Sequence, residues 1–170
     1  MVGLALVTAL GLLASSVNAS TSKTIAATMR SDYIIQSMNG MPFSPAIGDE
    51  MAKVDGVEQV YRLRYAPVQI EGQQTYAGAM TPASFDKILK QTMTSGSLGD
   101  FRKGTAIVLD DYAKEKNWSV GQTLTTEINA QQVPLKIVGI FTMAKNTGLG
   151  NVLTTIDTME GAGMRSTDSF

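Results

Sequence analysis

The sequence predicts an α+β protein, an N-terminal transmembrane or stalk helix followed by a body of two small α/β parts with mixed sheets. Three observations point to it. The opening MVGLALVTALGLLASSVNAS is apolar on every side up to Ala14 except at Thr8, and it carries no charge before Lys23. Beyond residue 30, β-branched or alternating runs take turns with short capped stretches of helical spacing. The length of 170 residues suits one domain or two small ones with a modest core once the opening is set aside.

A helix that is apolar all round asks for lipid or deep burial. The fourteen residues from Met1 to Ala14 cover about 21 Å at ~1.5 Å each, short of the roughly 30 Å of hydrocarbon that a spanning helix crosses. The basic start of a secretory signal is also missing. The segment therefore reads as the truncated end of a membrane helix. Residues 15–30 turn polar but stay Ala-rich, with no Gly or Pro between Leu12 and Arg30, so the helix is expected to continue into water as a stalk. Ala5 and Ala9, and Gly11, Ser15 and Ala19, stand four apart, a small-residue spacing that lets helices approach closely in lipid and is also common background.

The body begins with DYIIQSM at residues 32–38, whose β-branched centre predicts a short strand ended by Asn39-Gly40 and Pro42. Ser44 as cap, Pro45 in the first turn, and Ile47 and Met51 four apart predict a helix closed by Gly56. Residues 57–72 alternate as one long strand, or as two joined near Pro67, and turn at Glu71-Gly72 into a hairpin partner, QTYAGAM. Thr81-Pro82 starts a helix with apolar positions Phe85, Ile88, Leu89 and Met93. The Gly/Ser-rich TSGSLGDFRKG leads to a strand at residues 106–109, a short helix at about 111–116, and two further strands, VGQTLTTEI and PLKIVGIF, separated by the polar NAQQV. No long linker separates the halves, and no repeat of fixed period appears.

Composition removes whole classes of chemistry. The 14 basic and 15 acidic residues give a net charge of -1 and form no runs, so there is no electrostatic footprint for nucleic acid. With no Cys and no His, disulfides, thiolate nucleophiles, zinc sites and His relays are excluded, and the ten Met read as adaptable core filler. No catalytic residue, cofactor site or metal site is expected. Ser84-Phe85-Asp86-Lys87 fits the S-x-x-K spacing of a Ser/Lys nucleophile, but no S-D-N or K-T-G accompanies it, and a capped helix turn yields the same letters. Asp110-Asp111 stands just before a helix, where carboxylates cap free N–H groups and meet the positive dipole end. The Gly-rich run at residues 147–151 has no phosphate-binding frame and reads as a loop. The sequons at Asn18 and Asn117 imply nothing alone, and Trp118 beside Tyr112 closes a small core more readily than it forms a partner contact.

The order and spacing of VGLALVTALGLLASSVNAS, SDYIIQS, FSPAIGDEMAKVDGVEQVYRLRYAPVQIEG, MTPASFDKILKQTMTSGSL and GTAIVLDDYAKEKNWSVGQTLTTEINAQQVPLKIVGIF resemble ABC transporter permeases of the MacB/FtsX-like type. The turn at Val120 to Thr123 and the KIVGIF strand that follows it are the most specific pieces. The resemblance implies the end of a first membrane helix and stalk (residues 1–30), a porter-like part (31–97) and a second α/β part (98–170) of an extracytoplasmic core domain. It implies a permease subunit that works with a separate cytoplasmic ATP-binding-cassette ATPase, sits in a lipid bilayer and pairs with a second permease copy as a homodimer. It carries no catalytic residue. The alternative is a secreted or surface-anchored binding module whose first 20 residues are a signal sequence, since SVNAS offers small residues for cleavage.

Overall fold

The computed structural model describes residues 30–35, 37, 41–143 and 150–164, so the expected membrane and stalk helix, with its small-residue spacing, falls almost wholly outside the described residues. Residues 32–35 and 37 form no strand, contrary to the reading of DYIIQSM. Local capping chemistry holds at two of the expected helix starts. The Ser44 hydroxyl accepts from the Ala46 N–H at the start of α1 (Pro45–Met51), and the Thr81 hydroxyl accepts from the Ser84 N–H at the start of α2 (Pro82–Ile88).

Residues 57–72 yield a single strand, β1 (Leu63–Ile70), which runs straight through Pro67. Proline is tolerated there because β6 (Thr126–Ile128) pairs only with Val68 to Ile70, leaving Pro67 a strand neighbour on one side alone. Glu71 and Gly72, both at positive φ (49° and 76°), form the two-residue turn into β2 (Gln73–Met80). That handedness matches the twist of the strands it joins.

Met93 belongs to a strand rather than to α2. The helix stops at Leu89, which is extended (ψ 135°), and β3 (Gln91–Gly96) follows. A short 3-10 turn (Leu98–Asp100) precedes β4 (Thr105–Leu109) and α3 (Asp110–Lys116), which Asn117 ends in the left-handed region at φ 56°. The VGQTLTTEI run divides into β5 (Thr123–Leu124) and β6, and Asn129-Ala130 turns β6 into β7 (Gln131–Gln132). After β8 (Leu135–Met143) come two elements that the sequence reading did not foresee, β9 (Val152–Thr155) and α4 (Ile156–Gly161), the latter capped by Thr155.

The strands make one mixed sheet in the order β3-β8-β4-β9-β2-β1-β6-β7, with β5 on the start of β8. The β2–β9 and β4–β8 pairs are parallel and the rest antiparallel. Strands from both sides of residue 97 interleave, so the parts expected at 31–97 and 98–170 share one sheet and both of its cores. On one face Ala66, Val68, Val108 and Ile137 pack with Ala113 of α3 and with Ile156 and Met159 of α4. On the other, Leu63, Ile107 and Phe141 pack with Phe85 of α2, with Leu89 just past its end and with Phe101. Trp118 stands edge-on to Tyr112, centroids 5.5 Å apart, against the first core, which is the closing role expected of it.

Thr126 is fully buried beside this first core, and its hydroxyl has no hydrogen-bond partner. An unpaired buried hydroxyl is unfavourable, and valine keeps the shape without it. Thr126→Val is expected to stabilise the protein by about 1 kcal/mol, read as a higher urea midpoint. A lower midpoint would mean that the hydroxyl is satisfied in solution.

Candidate functional site

A cleft of about 430 Å³ separates α1 from the sheet. Gly48 of α1 and Ala52 just past its end form one wall, and the chain leading into β1 supplies Val60 and Arg62. Arg64 from β1, Thr81 and Ser84 from the start of α2, and Glu160 from α4 form the rest. Arg62 and Arg64 are two apart, so an extended chain turns both toward one side. Each meets a carboxylate: Arg62 pairs with Asp49 of α1, and Arg64 pairs with Glu160 of α4 at 2.7 Å. The two pairs differ in setting. The Arg64 side chain is only 7% exposed, whereas Arg62 and Asp49 are 31% and 62% exposed. The next residue in β1, Tyr65, packs toward the opposite face, where burial raises its phenol pKa above the ordinary value.

A second feature lies at the far end of α2. The Arg30 N–H donates to the Ile88 carbonyl at 2.7 Å, and its guanidinium donates to the Asp86 carbonyl at 3.3 Å. The last carbonyls of a helix have no partner within it, and a cation there meets the negative end of the peptide dipoles. The chain therefore enters its folded body fastened to one end of α2, while the other end of α2 borders the cleft.

Residues 1–169 match the MacB-like periplasmic core domain. The chain belongs to that family. Solved structures of similar fold include the extracellular domain of the noncanonic ABC-type transporter YknZ from Gram-positive bacteria, at 15% identity and TM-score 0.53 over 84% of this chain and 79% of that one. The periplasmic region of MacB from Actinobacillus actinomycetemcomitans aligns at 12% identity and TM-score 0.50 over 86% and 73%. A domain assigned to a permease protein of Porphyromonas gingivalis aligns at 19% identity and TM-score 0.50 over 67% of this chain and 51% of that one, so the chain spans about half of its length. No curated protein matches. The mixed α+β sheet expected from the sequence is thus the fold of MacB-like extracytoplasmic domains.

In this MacB-like domain the motif residues take structural places. The Ser84 hydroxyl is buried and hydrogen-bonded to the Thr81 hydroxyl, while Lys87 on the next turn is exposed, so the S-x-x-K letters belong to a helix cap. Asp110 and Asp111 lie within the first turn of α3 rather than ahead of it, and no side chain caps that helix. Asp110 instead pairs with Lys114 one turn on, and that hydrogen bond and charge raise the Lys114 pKa. The Gly-rich run at 147–151 lies mostly outside the described residues. Among the described residues no three His, Cys, Asp or Glu side chains gather as a metal site, and no helix is long and apolar enough to cross a membrane. The cleft charges were missed in the sequence. Arg62 and Arg64 carried a faint signal as two cations at strand spacing, but their partners are distant in the chain.

Proposed function

We propose that this chain is the extracytoplasmic part, from about residue 31 onward, of an ABC transporter permease subunit, and that it couples ATP-driven motion to export or to lipoprotein or peptide release. The partners of this reading are a cytoplasmic ATP-binding-cassette ATPase, the lipid bilayer around the N-terminal helix, and a second permease copy in a homodimer. Its parts would be the membrane and stalk helix to residue 30, a porter-like portion to residue 97 and a second portion beyond, working through the sheet they share. The observation that carries the mechanical reading is the Arg30 attachment to α2. In this reading a stiff helix leading to Arg30 would pull on the last turn of α2 directly, and α2 packs on the core through Phe85, followed by Leu89 just past its end.

A flexible joint in the helix should break that transmission. Ala26→Gly with Ala27→Pro, placed four residues ahead of Arg30, is expected to abolish export while ATP turnover continues and the domain stays folded. Export and ATP hydrolysis are measured together in reconstituted membranes of the full transporter. Unchanged export in this variant overturns the proposal.

A further inference from the structure

Each of α2, α3 and α4 buries at least one side chain, whereas α1 buries none. Ile47 is 44% exposed, and neither it nor Met51 joins either core. Beyond ties to its own flanking residues, such as Lys53 to Glu50, α1 is held among the described residues by Arg62, whose Nη2 donates to the Pro45 carbonyl at 3.4 Å and pairs with the Asp49 carboxylate. The fit is close because residue 48 has no side chain: a Cβ there would stand 3.2 Å from Arg62 Nε and 3.6 Å from a Val60 methyl. Downstream, Gly56 at φ 87° has nothing within 4 Å of an added Cβ, so a residue of wide backbone freedom with open space beside it follows the lid.

We infer that α1 is a lid on the cleft, latched by Arg62, that opens while the sheet stays folded. The opposite wall is fixed, since Arg64 is buried and paired to Glu160 across β1 and α4. Opening removes no residue from either core and breaks a long hydrogen bond to the Pro45 carbonyl and a half-exposed ion pair, the latter a kind of contact that contributes little to stability. A helix of seven residues does not persist without packing, so the open lid is also locally melted. This inference concerns the domain itself and stands whether or not the chain serves transport.

Amide hydrogen exchange on the full 170-residue chain in detergent tests it. Amides 49–52 are expected to exchange ~100-fold or more faster than those of β4 and β8, through openings separate from global unfolding. Asp49→Asn should speed the lid amides about two- to five-fold. Salt at ~1 M should do the same to the unaltered chain and nothing further to the variant, because it screens the same pair. Gly48→Leu, which wedges the lid off Arg62, should speed them more, with β4 and β8 in the same sample reporting an intact core. Lid amides as protected as β4 and β8 overturn the inference, and so do lid rates indifferent to Asp49→Asn and to salt.

Discussion

Gly96→Ala is expected to lower the stability of the protein by about 3–5 kcal/mol, read as a fall in the denaturant midpoint at unchanged slope. Two effects coincide at this residue. Gly96 ends β3 at φ 76°, a backbone conformation that costs an L-residue roughly 1–3 kcal/mol. An added Cβ would also lie 2.1 Å from the Val138 carbonyl oxygen and 2.8 Å from the Gly139 Cα. Both are backbone atoms, and the Val138 carbonyl already accepts the Ser97 N–H at 3.1 Å, so neither can retreat without breaking the β3–β8 edge. Gly72 is the control. It has the same φ of 76° in the β1–β2 turn, but nothing lies within 4 Å of an added Cβ. Gly72→Ala should cost only ~1–2 kcal/mol. Equal losses at the two positions would show that close approach to β8 is not what Gly96 provides.

Phe85→Ala is expected to cost about 3–5 kcal/mol, a large share of the ~5–15 kcal/mol that holds a typical domain folded. Phe85 is fully buried and is the main contact through which α2 meets the sheet. Its ring stands edge-on to Phe141 at 5.3 Å and tilted against Phe101 at 6.2 Å. Removing it forfeits the transfer of a whole aromatic side chain and two ring contacts. It also opens a cavity that β8 and the 3-10 turn are too constrained to close. Calorimetric or denaturant unfolding of the variant measures the loss. A change under ~1 kcal/mol would mean that the pocket collapses freely and that α2 is not anchored as described.

Much of this protein is legible locally. The Ser44-Pro45 and Thr81-Pro82 caps announce α1 and α2 because a cap is formed by neighbours in the chain. The Glu71-Gly72 turn sets the β1–β2 hairpin for the same reason. The misreadings arise where local spacing is ambiguous. Met93 continues the three-to-four rhythm of α2, yet it also alternates with Gln91 as the half-buried positions of β3, and pairing with β8 decides the matter. The run at 32–38 has strand letters, but its described residues pair with no strand. β9 and α4 follow the Gly-rich loop with no periodicity to announce them, although Thr155 offers the same kind of cap signal as Thr81. The cleft lay further out of reach. Arg64 and Glu160 are 96 residues apart, and no pattern within one element joins them.

By itself the chain determined most of the element types between residues 44 and 143, the absence of Cys and His chemistry, and the apolar opening, because composition, capping and periodicity act over a few residues. The tertiary structure alone decided which face each side chain serves. In β8, Ile137 pairs with Ala106 and Gly139 with Ile107, so Val138 is an extra residue that shifts the alternation. Ile137 and Ile140 consequently face one core while Val138 and Phe141 face the other, beside Phe85. Nothing in KIVGIF reveals that shift, because a bulge is set by the partner strand against which the chain must fit.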